Sequence, residues 1–111
     1  MEVIPERGDI WRVALDPTLG SEIRKTRSCV VVSVKVLNER RRTVIVVPLS
    51  SSPKASPPIL VPISCDGHPA VAVSDQIRAV AKERLRNRLG VVTMEEMASL
   101  EDGLRQIMQL G

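Results

Sequence analysis

Apolar and polar residues alternate over 10–15, with Ile10, Arg12 and Ala14 on one face and Trp11, Val13 and Leu15 on the other. That period of two predicts a strand, entered through a Gly8-Asp9 turn and ended by Asp16-Pro17, since proline lacks a backbone donor and restricts its predecessor. Residues 16–27 show no hydrophobic period and read as a long loop, a kind of segment that is usually functional or disordered. Residues 29–37 and 43–49 are β-branched and nearly continuously apolar, which predicts two strands joined through a polar hairpin tip at 38–42. A second polar loop follows at 50–58. Residues 59–64 read as a strand, with Pro62 marking an edge position. Asp66-Gly67 signals a tight turn, and 70–74 reads as another strand that residues 76–80 extend past a bend. The basic stretch 81–88 reads as a helical turn.

The pattern changes at the end of the chain. Thr93 followed by Glu96 fits a capping box, and Met97, Leu100, Leu104, Ile107 and Met108 recur at spacings of three and four. A C-terminal helix with one apolar stripe is expected, packed on the strands or on a second subunit. Several short strands, two polar loops and one helix predict a mainly β (α+β) fold, a small, curled antiparallel barrel with a helix laid against it.

Composition sharpens this picture. The chain has 111 residues, the length of one domain, and 43% of them are hydrophobic, which excludes global disorder. One Trp, no Phe and no Tyr mean that the core must be aliphatic. The formal charge of +3 suits an anionic partner without demanding one. Cys29 and Cys65 read as free thiols of a cytoplasmic protein. The charged, proline-containing start is unlike a signal peptide, and no apolar run is long enough to span a membrane.

Many reaction classes lack their residues. The chain has no glycine-rich phosphate loop and no dinucleotide fingerprint, and Cys29, Cys65, Asp66 and the sole histidine, His68, do not give a zinc-finger spacing. His68 reads as an exposed turn residue. Arg, Asp, Glu and Ser on the loops and at strand ends remain. That set suits plain anion binding as well as metal-free cleavage of RNA. In the second case the 2′-hydroxyl is the nucleophile, and the protein supplies a base, a cation for the crowded phosphorane and a donor that orients the phosphate. Arginine fits the cation role because its planar fork engages two phosphate oxygens.

The combination Arg7-Gly8-Asp9-Ile10-Trp11, Leu15-Asp16-Pro17-Thr18, Gly20-Ser21-Glu22 and Lys25-Thr26-Arg27 resembles the MazF/PemK/Kid family of toxin endoribonucleases. So do residues 43–51, ending Pro48-Leu49-Ser50-Ser51, the segment Ser74-Asp75-Gln76-Ile77-Arg78, and the closing Leu89-Gly90 with its amphipathic helix. The resemblance runs in order along nearly the whole chain, so residues 1–111 are expected to form one toxin domain.

The resemblance implies an SH3-like barrel, a homodimer, no cofactor and no metal. It implies cleavage of single-stranded RNA at short motifs to 2′,3′-cyclic phosphate and 5′-hydroxyl ends. It also implies a MazE-like antitoxin whose flexible C-terminal segment covers the RNA groove. Carried over by position, Arg27 is the phosphate-stabilising group, Ser50 a phosphate donor, and Asp75 and Glu22 are the two candidates for general base. Arg24, Lys25, Ser51, Lys54, Gln76 and Arg78 are expected to contact RNA.

Two departures stand out. Ser28 replaces the proline that usually follows the loop arginine, and Val73 stands where some members carry an arginine acid two residues before the aspartate. Aromatic stacking platforms are also missing, apart from Trp11, which lies in a strand and reads as core. Without the resemblance, Arg27 pairs with Glu22 as readily as it binds phosphate, Asp75 serves as a turn cap, and Lys82, Arg84, Arg86 and Arg88 form a solvated face. Two other readings stay open: a contact toxin like the gyrase poison CcdB, whose fold is similar, and a catalytically decayed relative, for which Ser28 and Val73 are the motive.

Overall fold

The computed structural model describes residues 3–15, 26–51 and 54–111. Seven strands are arranged as β1 (Asp9–Ala14), β2 (Thr26–Val31), β3 (Thr43–Ser50), β4 (Leu60–Cys65), β5 (His68–Val73), β6 (Arg78–Ala81) and β7 (Leu85–Val91). Two helices join them, α1 (Lys35–Arg40) and α2 (Met94–Met108). The sheet order is β4-β5-β3-β2-β1-β7, with β6 also pairing β3, and all the strand pairs are antiparallel.

β3 organises the curl. Along one edge it pairs β2, and along the other its first half pairs β6 while Leu49 and Ser50 pair Ala72 and Val71 of β5. Its two faces also pack into separate apolar clusters, which explains its nearly continuous apolar run. Val47 and Leu49 face one cluster with Ile10, Val30, Val61, Ile63, Ala72 and Leu100, while Val44 and Val46 face another with Trp11, Val13, Cys29, Val31 and Val80. The β1–β7 register slips between Ile10 and Trp11 and again between Arg12 and Val13, the irregularity that increases local twist and helps a sheet curl.

The helix stripe packs where its spacing requires. Met97 and Leu100 are buried in the first cluster and Leu104 packs against it, whereas Met108 is exposed. The capping box is present: the Thr93 hydroxyl accepts from the Glu96 amide and the Glu96 carboxylate accepts from the Thr93 amide. The same carboxylate also accepts the Ser64 amide at 2.6 Å, tying the helix start to β4. β4 ends the sheet order, as Pro62 required. Asp66 and Gly67 both have positive φ, the geometry of a two-residue hairpin turn that matches strand twist.

Three expectations are corrected. The strand expected over 29–37 stops at Val31, and in place of a hairpin tip at 38–42 the chain forms α1. Asn38, buried in α1, donates to the carbonyls of Pro5 and Ser33, and this long-range tie overrides the β-branched propensity of the segment. The stretch 81–88 holds only a short 3-10 turn at Lys82–Arg84 before continuing as β7. Pairing with β1 recruits it, and the Arg88 guanidinium meets the buried Asp9 carboxylate at 3.1 Å. Residues 76–80 do not extend β5, because a 3-10 turn at Ser74–Gln76 redirects the chain to pair with β3 as β6.

Candidate nucleic-acid groove

A groove of about 490 Å³ opens where three elements converge. Arg12, Thr26, Arg27 and Ser28 form the β1–β2 wall, Leu49, Ser50 and Ser51 the end of β3, and Cys65, His68, Pro69 and Ala70 the β4–β5 hairpin. Strand register explains the convergence. Arg12 sits opposite Ser28 and Val13 opposite Arg27, Ser50 sits opposite Val71, and Cys65 sits opposite His68 across the tight turn. Pairing β3 with β5 thus carries the hairpin to the serines, while β2 carries Arg27 to them from the other side.

The wall is chemically one-sided. Two arginines, one histidine and four hydroxyl residues line it, with no carboxylate among the described lining residues. Such a surface attracts an anion and offers many donors to it. Burial pushes the Cys29 thiol of β2 up to about 12, with the Arg27 and Arg78 charges pulling the other way. A thiol in this state is inert, and Cys29 is a core residue.

The structure brings Arg27, Ser50 and Ser51 together in the groove. Arg78 begins β6 opposite Val46 and is exposed, outside the groove lining. Asp75 and Gln76 occupy the 3-10 turn, exposed and outside the groove lining, and Lys54 is exposed outside it too. Glu22, Arg24 and Lys25 lie outside the described residues. Trp11 is core: it is 7% exposed, and its indole N–H donates to Asp9 at 3.2 Å. Bases therefore gain no stacking surface from it.

Sequence reasoning did not single out Arg12 and set His68 aside as an exposed turn residue. The alternation of β1 put Arg12 opposite the apolar face, which was the available signal. His68 is exposed, as a turn residue should be, yet the hairpin aims that turn at the groove. Among the described residues, no group of three or more His, Cys, Asp or Glu is placed to hold a metal.

Comparison with known proteins agrees with this geometry. Residues 6–108 match the family described as PemK-like, MazF-like toxin of type II toxin-antitoxin system. The chain is 36% identical over 108 residues to endoribonuclease MazF9 of Mycobacterium tuberculosis, covering 89% of this chain and 92% of that protein. It is 33% identical over 95 residues to the endoribonuclease toxin MazF of Escherichia coli, covering 85% of each. A crystal structure of MazE-MazF from Deinococcus radiodurans shares the fold, with a TM-score of 0.86 at 18% identity over 99% of this chain and 100% of that one. A mycobacterial endoribonuclease solved with its cognate antitoxin has a TM-score of 0.77 at 23% identity, over 99% of this chain and 98% of that one.

Proposed function

Because this chain belongs to the PemK-like, MazF-like toxins of type II toxin-antitoxin systems, we propose that it is an endoribonuclease that cleaves single-stranded RNA in the groove between β1–β2, the end of β3 and the β4–β5 hairpin. The observation that carries the site is the union of Arg27, Ser50 and Ser51 in one groove whose described lining carries two arginines and no carboxylate. RNA supplies the nucleophile. The 2′-oxygen attacks the adjacent phosphorus, and Arg27 stabilises the charge that builds on the non-bridging oxygens, while Ser50 donates to one of them. Glu22 or Asp75 takes the 2′-hydroxyl proton. The products are a 2′,3′-cyclic phosphate and a 5′-hydroxyl. Arg12, Ser51 and Arg78 hold neighbouring phosphates, joined by Arg24, Lys25, Lys54 and Gln76 as the strand leaves the groove.

Residues 1–111 act as one toxin domain that pairs as a homodimer. A MazE-like antitoxin lays an extended segment over the cationic groove in place of RNA, and acidic side chains on that segment suit such a wall. No cofactor is required. Two free thiols and an RNA substrate suit the cytoplasm; among the described residues no helix is long and apolar enough to cross a membrane. The contact-only gyrase poison is the less favoured reading, since the relatives matched along most of this chain are endoribonucleases.

The test is Arg27→Ala. Losing one such donor typically costs about 10²–10³ in turnover, and Arg27 is half-exposed, so the fold should persist. A variant that keeps native circular dichroism and cleaves RNA at the native rate removes Arg27 from the site.

A further inference from the structure

In the reaction proposed above, the departing 5′-oxygen leaves as an alkoxide unless something protonates it. Arg27 is poorly suited to that task, because a guanidinium holds its proton across the working range of proteins. The serine and threonine hydroxyls of the wall do not ionise near neutrality. The Cys65 thiol is half-buried, and thiols donate weakly. Among the described residues of the groove, the remaining group is His68. Imidazole is the side chain that gives and takes a proton near neutral pH. His68 is exposed on the first position of β5, fixed by its pairing with Cys65 across the Asp66-Gly67 turn, on the opposite side of the groove from Arg27 and Thr26.

From this placement we infer that His68 is the general acid of the cleavage, protonating the 5′-oxygen as the P–O5′ bond breaks. The inference rests on the groove being the active site. The step balances as follows. The O2′–P bond forms as the 2′-hydroxyl proton passes to the carboxylate base. The P–O5′ bond breaks with its electron pair going to O5′, and the imidazolium N–H proton moves to that oxygen. The neutral imidazole then recovers a proton from solvent.

The experiment compares two RNA oligonucleotides carrying the native cleavage site, one ordinary and one with sulfur replacing O5′ at the scissile bond. A thiolate leaves without protonation, so the sulfur substrate needs no acid. His68→Gln should lose about 10²-fold or more on ordinary RNA, the scale of acid catalysis, and recover to within a few-fold of the native enzyme on the sulfur substrate. Arg27→Ala should lose activity on both. If His68→Gln is equally slow on both substrates, or cleaves ordinary RNA normally while Arg27→Ala is inactive, His68 is not the acid and the groove stands. If Arg27→Ala is fully active, the groove assignment itself fails. His68→Gln keeps an exposed polar side chain, and its thermal midpoint should match the native protein's.

Discussion

Asn38→Ala probes the contact that turned an expected hairpin into a helix. Asn38 is 0% exposed. Its amide nitrogen donates to the Pro5 carbonyl at 2.8 Å and the Ser33 carbonyl at 3.0 Å, and its oxygen accepts the Ser33 hydroxyl. That hydroxyl in turn accepts the Ile45 amide at 3.0 Å, so one side chain links the segment before β1, α1 and β3. Alanine removes three hydrogen bonds worth about 1 kcal/mol each and strands two carbonyls at up to about 1–3 kcal/mol apiece. Water entering the vacated space offsets part of this. A net loss of about 3 kcal/mol is expected, a large share of the ~5–15 kcal/mol that holds a domain together. At roughly 4 °C per kcal/mol for this size, the thermal midpoint should fall by about 12 °C at fixed protein concentration. Asn38→Asp adds a control with a sign. A carboxylate facing two carbonyls is disfavoured, so its folded-state pKa rises; stability is retained below the unfolded carboxyl range and lost as pH climbs through the raised value. Calorimetry showing less than about 1 kcal/mol lost in Asn38→Ala would refute the reasoning.

Three further outcomes are expected. The Cys29 thiol, raised from 9.0 to about 12 chiefly by burial, contributes stability that is complete below pH 9 and declines between pH 9 and pH 12; Cys29→Ala should flatten chemical-denaturation stability in that window, and an unchanged slope would show the thiol is not the cause. Cys65 lines the groove while Cys29 is buried, so native protein should react with one equivalent of a thiol reagent quickly, and an uncleavable single-stranded RNA should slow that reaction; labelling unaffected by saturating RNA would move RNA off this surface. Gly103 of α2 leaves no room: an added Cβ would lie 2.7 Å from the Pro58 carbonyl oxygen and 3.3 Å from the buried Ser74 hydroxyl, which has no hydrogen-bond partner among the described residues. Overpacking at about 1–3 kcal/mol outweighs the ~1 kcal/mol that alanine gains in helix propensity, so Gly103→Ala should lower the midpoint by several degrees, and a rise would mean α2 slides freely.

What the sequence revealed depended on how local the cause was. Thr93, Glu96 and the Met97–Leu100–Leu104 spacing specify α2 within a few residues of one another, and they were readable. β3 was readable too, because a strand packed on both faces is apolar nearly throughout, whereas β2 was read only over 29–31, since its polar first half, Thr26–Ser28, carries no apolar signal. α1 was not, since its reason is Asn38 reaching Pro5. β7 was hidden by its arginines: an edge strand keeps charges outward, and its alternation is diluted to the point where only pairing with β1 reveals it. The candidate groove followed the same division. Arg27, Ser50 and Ser51, which line it, were singled out through motifs along the chain. Arg12 was not singled out and His68 was set aside as a turn residue, because strand registers far apart in the chain bring them to the groove.

The most direct test is to incubate purified protein with a long single-stranded RNA in excess EDTA and map the chemistry of the new ends. Discrete cuts bearing 5′-hydroxyl and 2′,3′-cyclic phosphate ends are expected, undiminished by the chelator, because the nucleophile belongs to the RNA and the cations belong to the protein. RNA left intact by a folded sample, or cut only once Mg²⁺ is restored and then with 5′-phosphate ends, would contradict a 2′-hydroxyl attack supported by Arg27.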